Sequence, residues 1–271
     1  EFADAVPLRQ FLDEWIHPIR RIVSITTGRA EDLTYAALYL ADGDKVRGQL
    51  FGSGITQTPY ESSQDDVQKI NSPLRLKSDA VSLLEMIRTW QAMASVHHPL
   101  LETYGAMLHA ADQHPRSRFL LLLQAIEGTY GYETKASFAK RLKKYAEDRD
   151  AVVAATRDVL DDKQRKFLEK ALGKRPPAGL EAAINWLVKR LPGDVLTQLG
   201  ATNLITNAKA PTGEAKNAPD ALRIIRNDLT HGNRGYDADD LYYVVKILEL
   251  MVRAHALQLL GCPMAIIERV L

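Results

Sequence analysis

The stretch RIIRNDLTHG, residues 223–232, places an arginine, an asparagine and a histidine within six positions and ends on a glycine. An imidazole whose pKa is near its ordinary value of about 6.5 can accept or donate a proton at neutral pH. A guanidinium can stabilise the negative charge that builds on a phosphate in a transition state. Arg226 and His231 therefore suit phosphodiester cleavage without a metal ion, in which a ribose 2′-hydroxyl is the nucleophile and only RNA is cut.

Helical geometry decides which of these side chains can act together. Asn227 and His231 are four positions apart and lie on one face of a helix, so Asn227 could orient the imidazole. Arg226 and His231 are five apart, which separates them by about 140° around the axis. They would share a substrate only if the helix opens at Gly232 or if a second copy of the chain completes the site. Arg223 lies one turn before Arg226, so two guanidiniums could offer a phosphate forked donors.

A structural role for His231 also fits the pattern. An arginine and a histidine occur at this spacing by chance in a chain of this composition, so the pair alone indicates little. A histidine in the last turn of a helix meets the negative end of the helix dipole, and the glycine that follows is a common C-cap. Helix capping therefore stands beside catalysis as an explanation of this residue.

Other chemical motifs are missing from the sequence. It has no Walker-type phosphate loop, no G-x-G-x-x-G, no G-x-S-x-G and no paired-histidine zinc signature. Cys262 is the only cysteine, which rules out an intramolecular disulfide and argues against a cysteine-based zinc site or an iron–sulfur cluster. We expect no cofactor. His97 and His98 are adjacent and point apart, and with Pro99 they indicate the end of a helix.

The composition is that of an ordinary globular protein, with 271 residues, 46% hydrophobic, 25% charged and a net charge of +1. Residues 135–190 hold fifteen Lys and Arg against eight Asp and Glu, which could attract a polyanion or could form solvated helix faces. The longest apolar run, FLLLLQAI, is far shorter than the roughly 20 residues of a membrane span, and no secretory signal is recognisable. We therefore expect a cytoplasmic protein. The opening EF, without an initiating Met, predicts a fragment of a longer chain.

Residues 1–72 are predicted to be the C-terminal part of a β-rich domain. Residues 7–25 carry apolar residues at helical spacing, with an expected kink at Pro18. LTYAALYLA and KVRGQLFGSGIT are rich in aromatic and β-branched residues and flank DGD, which predicts a β-hairpin. Because a lone hairpin is only marginally stable, its partner strands are expected upstream. The polar stretch 58–73, which has two prolines and no hydrophobic period, is the predicted domain boundary.

Residues 73–271 are predicted to be a helical domain. Ser78 is the expected N-cap of its first helix. Residues 117–132, SRFLLLLQAIEGTYGY, are apolar nearly all round, which predicts a central helix of a bundle. Glu127 is the one acid on that helix and is expected to be a rim carboxylate paired with an arginine, or else a functional group.

The C-terminal part is predicted to end in a helical hairpin. Residues 201–219 have few large apolar groups and are predicted to form a mobile loop. The next helix is expected to begin at Asp220 as cap and to end at Gly232 in a left-handed turn. Asp237 is expected to cap the last long helix.

SRFLLLLQAIEGTYGY, followed by ALRIIRNDLTHGNRGYDADDLYYVVKILELMVRAHALQLLG, resembles the ApeA-like branch of the HEPN superfamily. Members have a helical bundle that ends in an Arg-x4–6-His motif, often with Asn directly after the Arg. The resemblance covers roughly the last 195 residues, and residues 1–60 look like the tail of the β-rich domain that precedes HEPN in such proteins.

The resemblance implies a mainly α fold, namely a HEPN-type helical bundle preceded by the N-terminal helix and a β-hairpin remnant. It also implies a metal-independent endoribonuclease of antiphage defence or of a toxin-like system, which acts on RNA as a homodimer with facing motifs and could respond to a phage-encoded trigger. Arg226 and His231 would be catalytic, Asn227 their polar companion and Glu127 a possible first-helix acid.

Two other functions stay open from the sequence. The chain could be a nuclease-inactive HEPN module that dimerises, or that binds RNA or a phage component through its basic helices. The same basic faces could instead contact a partner protein.

Overall fold

The structure is a computed structural model that describes residues 6–31, 33, 36–39, 47–50, 72–109, 113–173, 179–209 and 215–271. Its first helix has three continuous segments, α1 (Leu8–Phe11), a π-helical turn (Leu12–Ile16) and α2 (His17–Thr27). The irregular turn directly precedes Pro18, which has no N–H to donate to the carbonyl of Glu14. The Gln91 side chain donates to that carbonyl instead, at 2.6 Å. The predicted distortion at this proline therefore takes the form of a π turn.

Two short strands follow, β1 (Ala37–Tyr39) and β2 (Arg47–Gln49), which pair antiparallel with Ala37 opposite Gln49. They lie within the two stretches for which the sequence predicts a hairpin. The connection between them lies outside the described residues, and so does nearly all of the predicted boundary at 58–73. The β-rich domain and a division near residue 72 therefore remain predictions.

The rest of the described chain is mainly helical, as predicted. Its helices are α3 (Leu83–Ser95), α4 (Pro99–His109), α5 (Pro115–Glu133), α6 (Lys135–Ala155), α7 (Asp162–Leu172), α8 (Leu180–Val188), α9 (Val195–Gly200), α10 (Asn203–Lys209), α11 (Ala218–His231), α12 (Ala238–Leu259) and α13 (Met264–Val270). The predicted central helix is α5, which packs against α4, α8, α11 and α12.

The core lies between α5 and α12. The buried residues of α5 recur mostly at spacings of three and four, so they line the sides of the helix that pack against its neighbours. Side chains from these two helices that are at most 2% exposed include Phe119, Leu122, Leu123, Ile126, Val244, Leu248 and Met251. Burial of a side chain of this size contributes roughly 1.5–3 kcal/mol, so this pair of helices supplies much of the stability of the fold.

Two predicted helix starts were wrong. α3 begins after Ser82, whose hydroxyl accepts a backbone N–H three positions on at 3.3 Å, while Ser78 lies in the turn before it. α11 begins after Asn217, whose side-chain oxygen accepts the N–H of Asp220 at 2.9 Å. Pro219 then occupies the first turn, where its missing N–H costs nothing. α3 therefore begins about one turn later than predicted, and α11 begins about one turn earlier. In each case another polar residue provides the cap.

The predicted mobile loop at 201–219 was wrong for residues 203–209, which form α10. Leu204 is 3% exposed and Ile205 is 0% exposed. α10 packs against α11 and α12. Two adjacent large apolar side chains therefore suffice to fix this short helix against the bundle.

The end of α3 is as predicted. His97 adopts a left-handed conformation with φ 51° and is exposed, whereas His98 is buried. The Nδ1 atom of His98 accepts the N–H of Leu100 at 3.3 Å, at the start of α4. The two adjacent imidazoles thus point apart, and one of them belongs to the core.

α6 and α7 form a helical hairpin, residues 135–172, which we call the arm. Every residue of these two helices is described, and none of them is buried. Phe167 is 74% exposed and Val159 is 80% exposed. The Tyr145 hydroxyl ties the two helices by donating to the carbonyl of Leu172. Among the helices within the described ranges, none is both long and apolar enough to cross a membrane.

Candidate active site

The helix that carries the candidate residues, α11, ends at His231. Gly232 adopts the left-handed conformation, with φ 70° and ψ 20°, and its N–H donates to the carbonyl of Asp228. The N–H of Asn233 donates to the same carbonyl at 3.0 Å. The predicted glycine cap is therefore confirmed, and it leaves His231 in the last helical position.

The His231 side chain is exposed to solvent. Within the part of the chain that the structure describes, it makes no hydrogen bond and no ion pair. Other groups bond the last carbonyls of α11: the Thr230 hydroxyl donates to the carbonyl of Arg226 at 2.7 Å, and Arg116 donates to the carbonyl of Leu229 at 2.5 Å. The helix end is capped without the imidazole, which weakens capping as the explanation of His231.

Arg226 connects α11 to the central helix. Its Nη2 atom lies 3.3 Å from Oε2 of Glu127 on α5, and its Nη1 atom donates to the side-chain oxygen of Asn227 at 3.3 Å. The guanidinium side chain remains 40% exposed. It is thus held in one orientation and can still donate to a phosphate oxygen that approaches from solvent.

Glu127 is the half-buried partner in this ion pair. Its side chain is 28% exposed. Burial raises the pKa of Glu127, and the nearby Arg226 acts in the opposite direction. The expected pairing of this rim carboxylate with an arginine is therefore present, across 99 positions of sequence.

The structure places Asn227 and Arg223 differently from the sequence-based interpretation. Asn227 accepts from Arg226, and between the described side chains there is no hydrogen bond from Asn227 to His231. Arg223 donates twice to Oδ1 of Asp220, at 3.0 and 2.7 Å. The Lys216 N–H and then Arg223 hold the pKa of Asp220 below its usual range. Arg223 is therefore engaged within the first turns of α11, rather than forked with Arg226.

Two residues that the sequence analysis missed support the end of α11. Arg116, at the start of α5, reaches the Leu229 carbonyl across 113 positions. The Tyr236 hydroxyl donates to Oδ2 of Asp228 at 2.6 Å and so fastens the loop after Gly232. Only the tyrosine, eight positions from its aspartate, could have been considered from local sequence.

The loop also carries a cation close to the candidate histidine. The guanidinium carbon of Arg234 lies 5.1 Å from the centre of the Tyr236 ring, at cation–π distance. Arg234 and His231 are both exposed and lie on either side of Gly232 in sequence. The end of α11 is thus a solvent-open edge with one arginine nearby and one imidazole that has no hydrogen-bond partner among the described groups.

A model of the family described as Apea-like HEPN matches residues 120–265, which is more than half of the 271 residues. The matched region includes Glu127, Arg226 and His231. Comparisons with curated proteins and with solved structures found no match.

Proposed function

Because the chain belongs to the Apea-like HEPN family, we propose that it is an endoribonuclease that cleaves RNA through Arg226 and His231 without a metal ion. His231 takes the proton from a ribose 2′-hydroxyl, and the 2′-oxygen attacks the adjacent phosphorus. The bond from phosphorus to the 5′-oxygen breaks, the leaving oxygen gains a proton, and a cyclic phosphate remains. Arg226 stabilises the charge on the phosphate oxygens during this exchange.

One observation carries the proposal: an exposed imidazole with no partner among the described residues ends the same helix that holds a fixed, half-exposed guanidinium. A buried structural histidine makes hydrogen bonds, as His255 does with Glu133 at 2.8 Å. His231 makes none among the described residues, and other groups bond the carbonyls of Arg226, Asp228 and Leu229 around it. An imidazole kept available in this way suits proton transfer to a ligand.

Two copies of the chain would make a complete site. The reaction needs a base for the 2′-hydroxyl and an acid for the leaving oxygen, and one α11 offers a single histidine. A twofold contact between two helix ends would bring two Arg226 and two His231 residues to one phosphate. A homodimer is therefore part of the proposal, and cleavage per chain should fall when the protein is diluted below its dimer dissociation constant.

The test is cleavage of a structured RNA at neutral pH in excess EDTA by the purified chain and its variants. His231→Ala should lower the rate by about 10²–10⁴-fold, the usual contribution of a general acid or base. Arg226→Ala should lower it by about 10²–10³-fold. His17→Ala is the matched control, since His17 is another exposed helical histidine, with a side chain that is 57% exposed.

Circular dichroism and thermal unfolding accompany these assays. The proposal requires that His231→Ala keeps the helical signal and the midpoint of the wild type. Cleavage that survives this substitution, or that falls equally with His17→Ala, would contradict the assignment. Unfolding of the His231→Ala chain would restore the capping explanation.

A second candidate is a nuclease-inactive HEPN module that binds RNA or a phage component. The arm favours it, because two helices without a buried residue carry a cluster of exposed basic side chains such as Lys140, Lys143 and Lys144. RNA binding that weakens steeply with salt, without cleavage at any pH from about 6 to 9, would support this candidate over the nuclease.

A role in antiphage defence or in a toxin-like system belongs to the same proposal, as does a phage-encoded trigger. Cells that express the wild-type chain should resist phage or grow slowly, while cells with His231→Ala should do neither. Equal protection by both forms would favour the binding module.

A further inference from the structure

A cavity of about 180 Å³ lies where α2, α4, α5 and α12 meet. Its charged lining comes from Arg118 on α5 and from Lys246, Glu249 and Arg253 on α12. The three α12 residues recur at spacings of three and four, so they form one stripe on that helix. Gly28, after the end of α2, and residues of α4 complete the wall. The cavity therefore joins the region matched by the family to helices that precede it.

The lining carries an excess of positive charge. Three cations face one carboxylate, and Glu249 is already bound to Arg118 in an ion pair. Lys246 lies with its Nζ atom 5.1 Å from the centre of the Tyr242 ring. Among the described carboxylates, none lies within ion-pair distance of Lys246 or Arg253. Glu249 is therefore shared, in an ion pair with Arg118 and at longer range with Lys246, and the described lining keeps a net positive charge.

Arg253 is the deeper of these two cations. Its Nε atom donates to the carbonyl of Ile25 at 2.8 Å, and its Nη2 atom donates to the carbonyl of Thr26. These bonds cap α2 but supply only dipoles, and burial lowers the pKa of Arg253. A partly buried cation that is balanced by dipoles alone gains free energy when an anion enters beside it.

The volume of the cavity and its apolar lining residues limit which kinds of anion can bind. The volume is below the roughly 300–1,000 Å³ of sites for drug-sized ligands, so the ligand must be small. Two cations of one lining, one of them a guanidinium, match a tetrahedral oxyanion that carries nearly two charges. Met107 and Leu250 supply apolar surface next to the charged groups, which fits a small organic group attached to the anion.

We propose that this cavity binds a small phosphate monoester, with the phosphate between Lys246 and Arg253 and its organic part against Met107 and Leu250. The ligand would hold α2 on α12, because Arg253 already ties these two helices together. It would also lie beside the first turn of α5, where Arg118 faces the cavity and Arg116 bonds the end of α11. This site is separate from Arg226 and His231 and does not depend on RNA cleavage.

Isothermal titration calorimetry on the purified chain tests the proposal with phenyl phosphate, with inorganic phosphate and with phenol. Phenyl phosphate and phosphate should bind, and phenol should not. Lys246→Gln should weaken phenyl phosphate binding about tenfold, which corresponds to about 1.4 kcal/mol. Glu249→Gln should tighten it, because that substitution removes the only carboxylate among the described lining residues and releases Arg118.

The matched controls are Lys166→Gln and Glu169→Gln, which make the same changes at exposed positions of the arm. They should leave the affinity for phenyl phosphate unchanged. Lys246 is exposed, so its substitution should also leave the unfolding midpoint unchanged, whereas Arg253→Gln could loosen α2 and is not needed.

Three results would overturn the proposal. The first is the absence of binding heat for both phenyl phosphate and phosphate at millimolar concentration. The second is an equal loss of affinity in Lys246→Gln and Lys166→Gln, which would mean non-specific attraction to a basic surface. The third is binding of a deoxyoligonucleotide without terminal phosphate, dependent on Lys246, when phenyl phosphate and phosphate do not bind, which would assign the cavity to a nucleic-acid chain.

Discussion

The central helices and the arm are built from the same kind of element but are stabilised in different ways. α5 has 19 residues and α6 has 21, and they are consecutive in the chain. α5 buries Phe119, Leu122 and Ile126 completely or nearly so, whereas α6 and α7 bury nothing. The two helices are therefore similar in length, but one is packed in the core and the other is not.

This comparison shows that the candidate site and the arm are held in place by different interactions. Arg226 and His231 lie on α11, which packs on α5, α8 and α10, so their positions depend on the cooperative core. The arm is held by local helical bonds and by a few contacts at its base, such as Arg141 with the Tyr130 hydroxyl at 3.0 Å. The site should thus be as stable as the whole fold, while the arm should open on its own.

Amide hydrogen exchange should give the largest contrast. Amides in the middle of α12 should exchange only through global unfolding, with an opening free energy close to that of the whole domain, about 5–15 kcal/mol. Amides of α7 should exchange through local opening at a small fraction of that value. Mass spectrometry of peptides that cover residues 238–259 and 162–172 measures both. Equal protection in the two peptides would mean that the arm packs against something in solution, such as a second copy of the chain.

A pair of phenylalanine substitutions should give the next largest contrast. Phe119→Ala on α5 should lower the free energy of unfolding by about 3–5 kcal/mol, because it leaves a cavity in a region where Phe119 is 0% exposed. Phe167→Ala on α7 should change it by less than about 0.5 kcal/mol, because that side chain is 74% exposed. Urea denaturation followed by circular dichroism measures both.

One result of the phenylalanine substitutions would contradict the view that the arm is not packed. If Phe167→Ala costs more than about 1 kcal/mol, the exposed ring is covered in solution and the arm is part of a cooperative unit. The effect should then depend on protein concentration if a second copy provides the cover.

The bundle was predictable from sequence because its signals are periodic and local. The apolar spacing of α5 and the pairing of Gly232 with Asp237 located the central helix and the final hairpin correctly. Caps were less predictable, since Ser78 and Ser82 are both suitable residues and only the fold decides between them. The prediction of a mobile loop was wrong for residues 203–209, because composition was averaged over a stretch whose large buried side chains are concentrated at Leu204 and Ile205.

The residues of the candidate site are predictions from sequence, whereas their contacts are visible only in the structure. The Arg226–His231 spacing is visible in sequence, and so is an isolated acid at Glu127. The ion pair between Arg226 and Glu127 joins positions 99 apart, and the bond from Arg116 to α11 joins positions 113 apart. No local pattern encodes such long-range pairs, which depend on how α5 and α11 pack.

The smallest expected contrast between the bundle core and the arm is in how the stability of each depends on pH. Burial lowers the pKa of His98, and His255 acts in the same direction, while Glu133 opposes both. The folded state therefore takes up a proton at His98 less readily than the unfolded chain. The stabilising effect of the neutral imidazole is present above the unfolded pKa, about 6.5, and is lost as pH falls through the folded pKa. The slope cannot exceed about 1.4 kcal/mol per pH unit for one proton.

His98→Asn should flatten this slope, and His97→Asn is the control at the adjacent, exposed position, where asparagine tolerates the left-handed backbone. Urea denaturation between about pH 7 and 5 measures the free energy of unfolding for both variants. The groups that face His98 are Glu133, whose Oε1 atom lies 4.0 Å from its Nε2 atom, and His255, which bonds the same oxygen.

The arm contains no histidine, so local opening of α7 should not share this pH dependence once intrinsic exchange is corrected. A slope that persists in His98→Asn, or one that disappears in His97→Asn, would contradict the assignment of this proton to the buried His98.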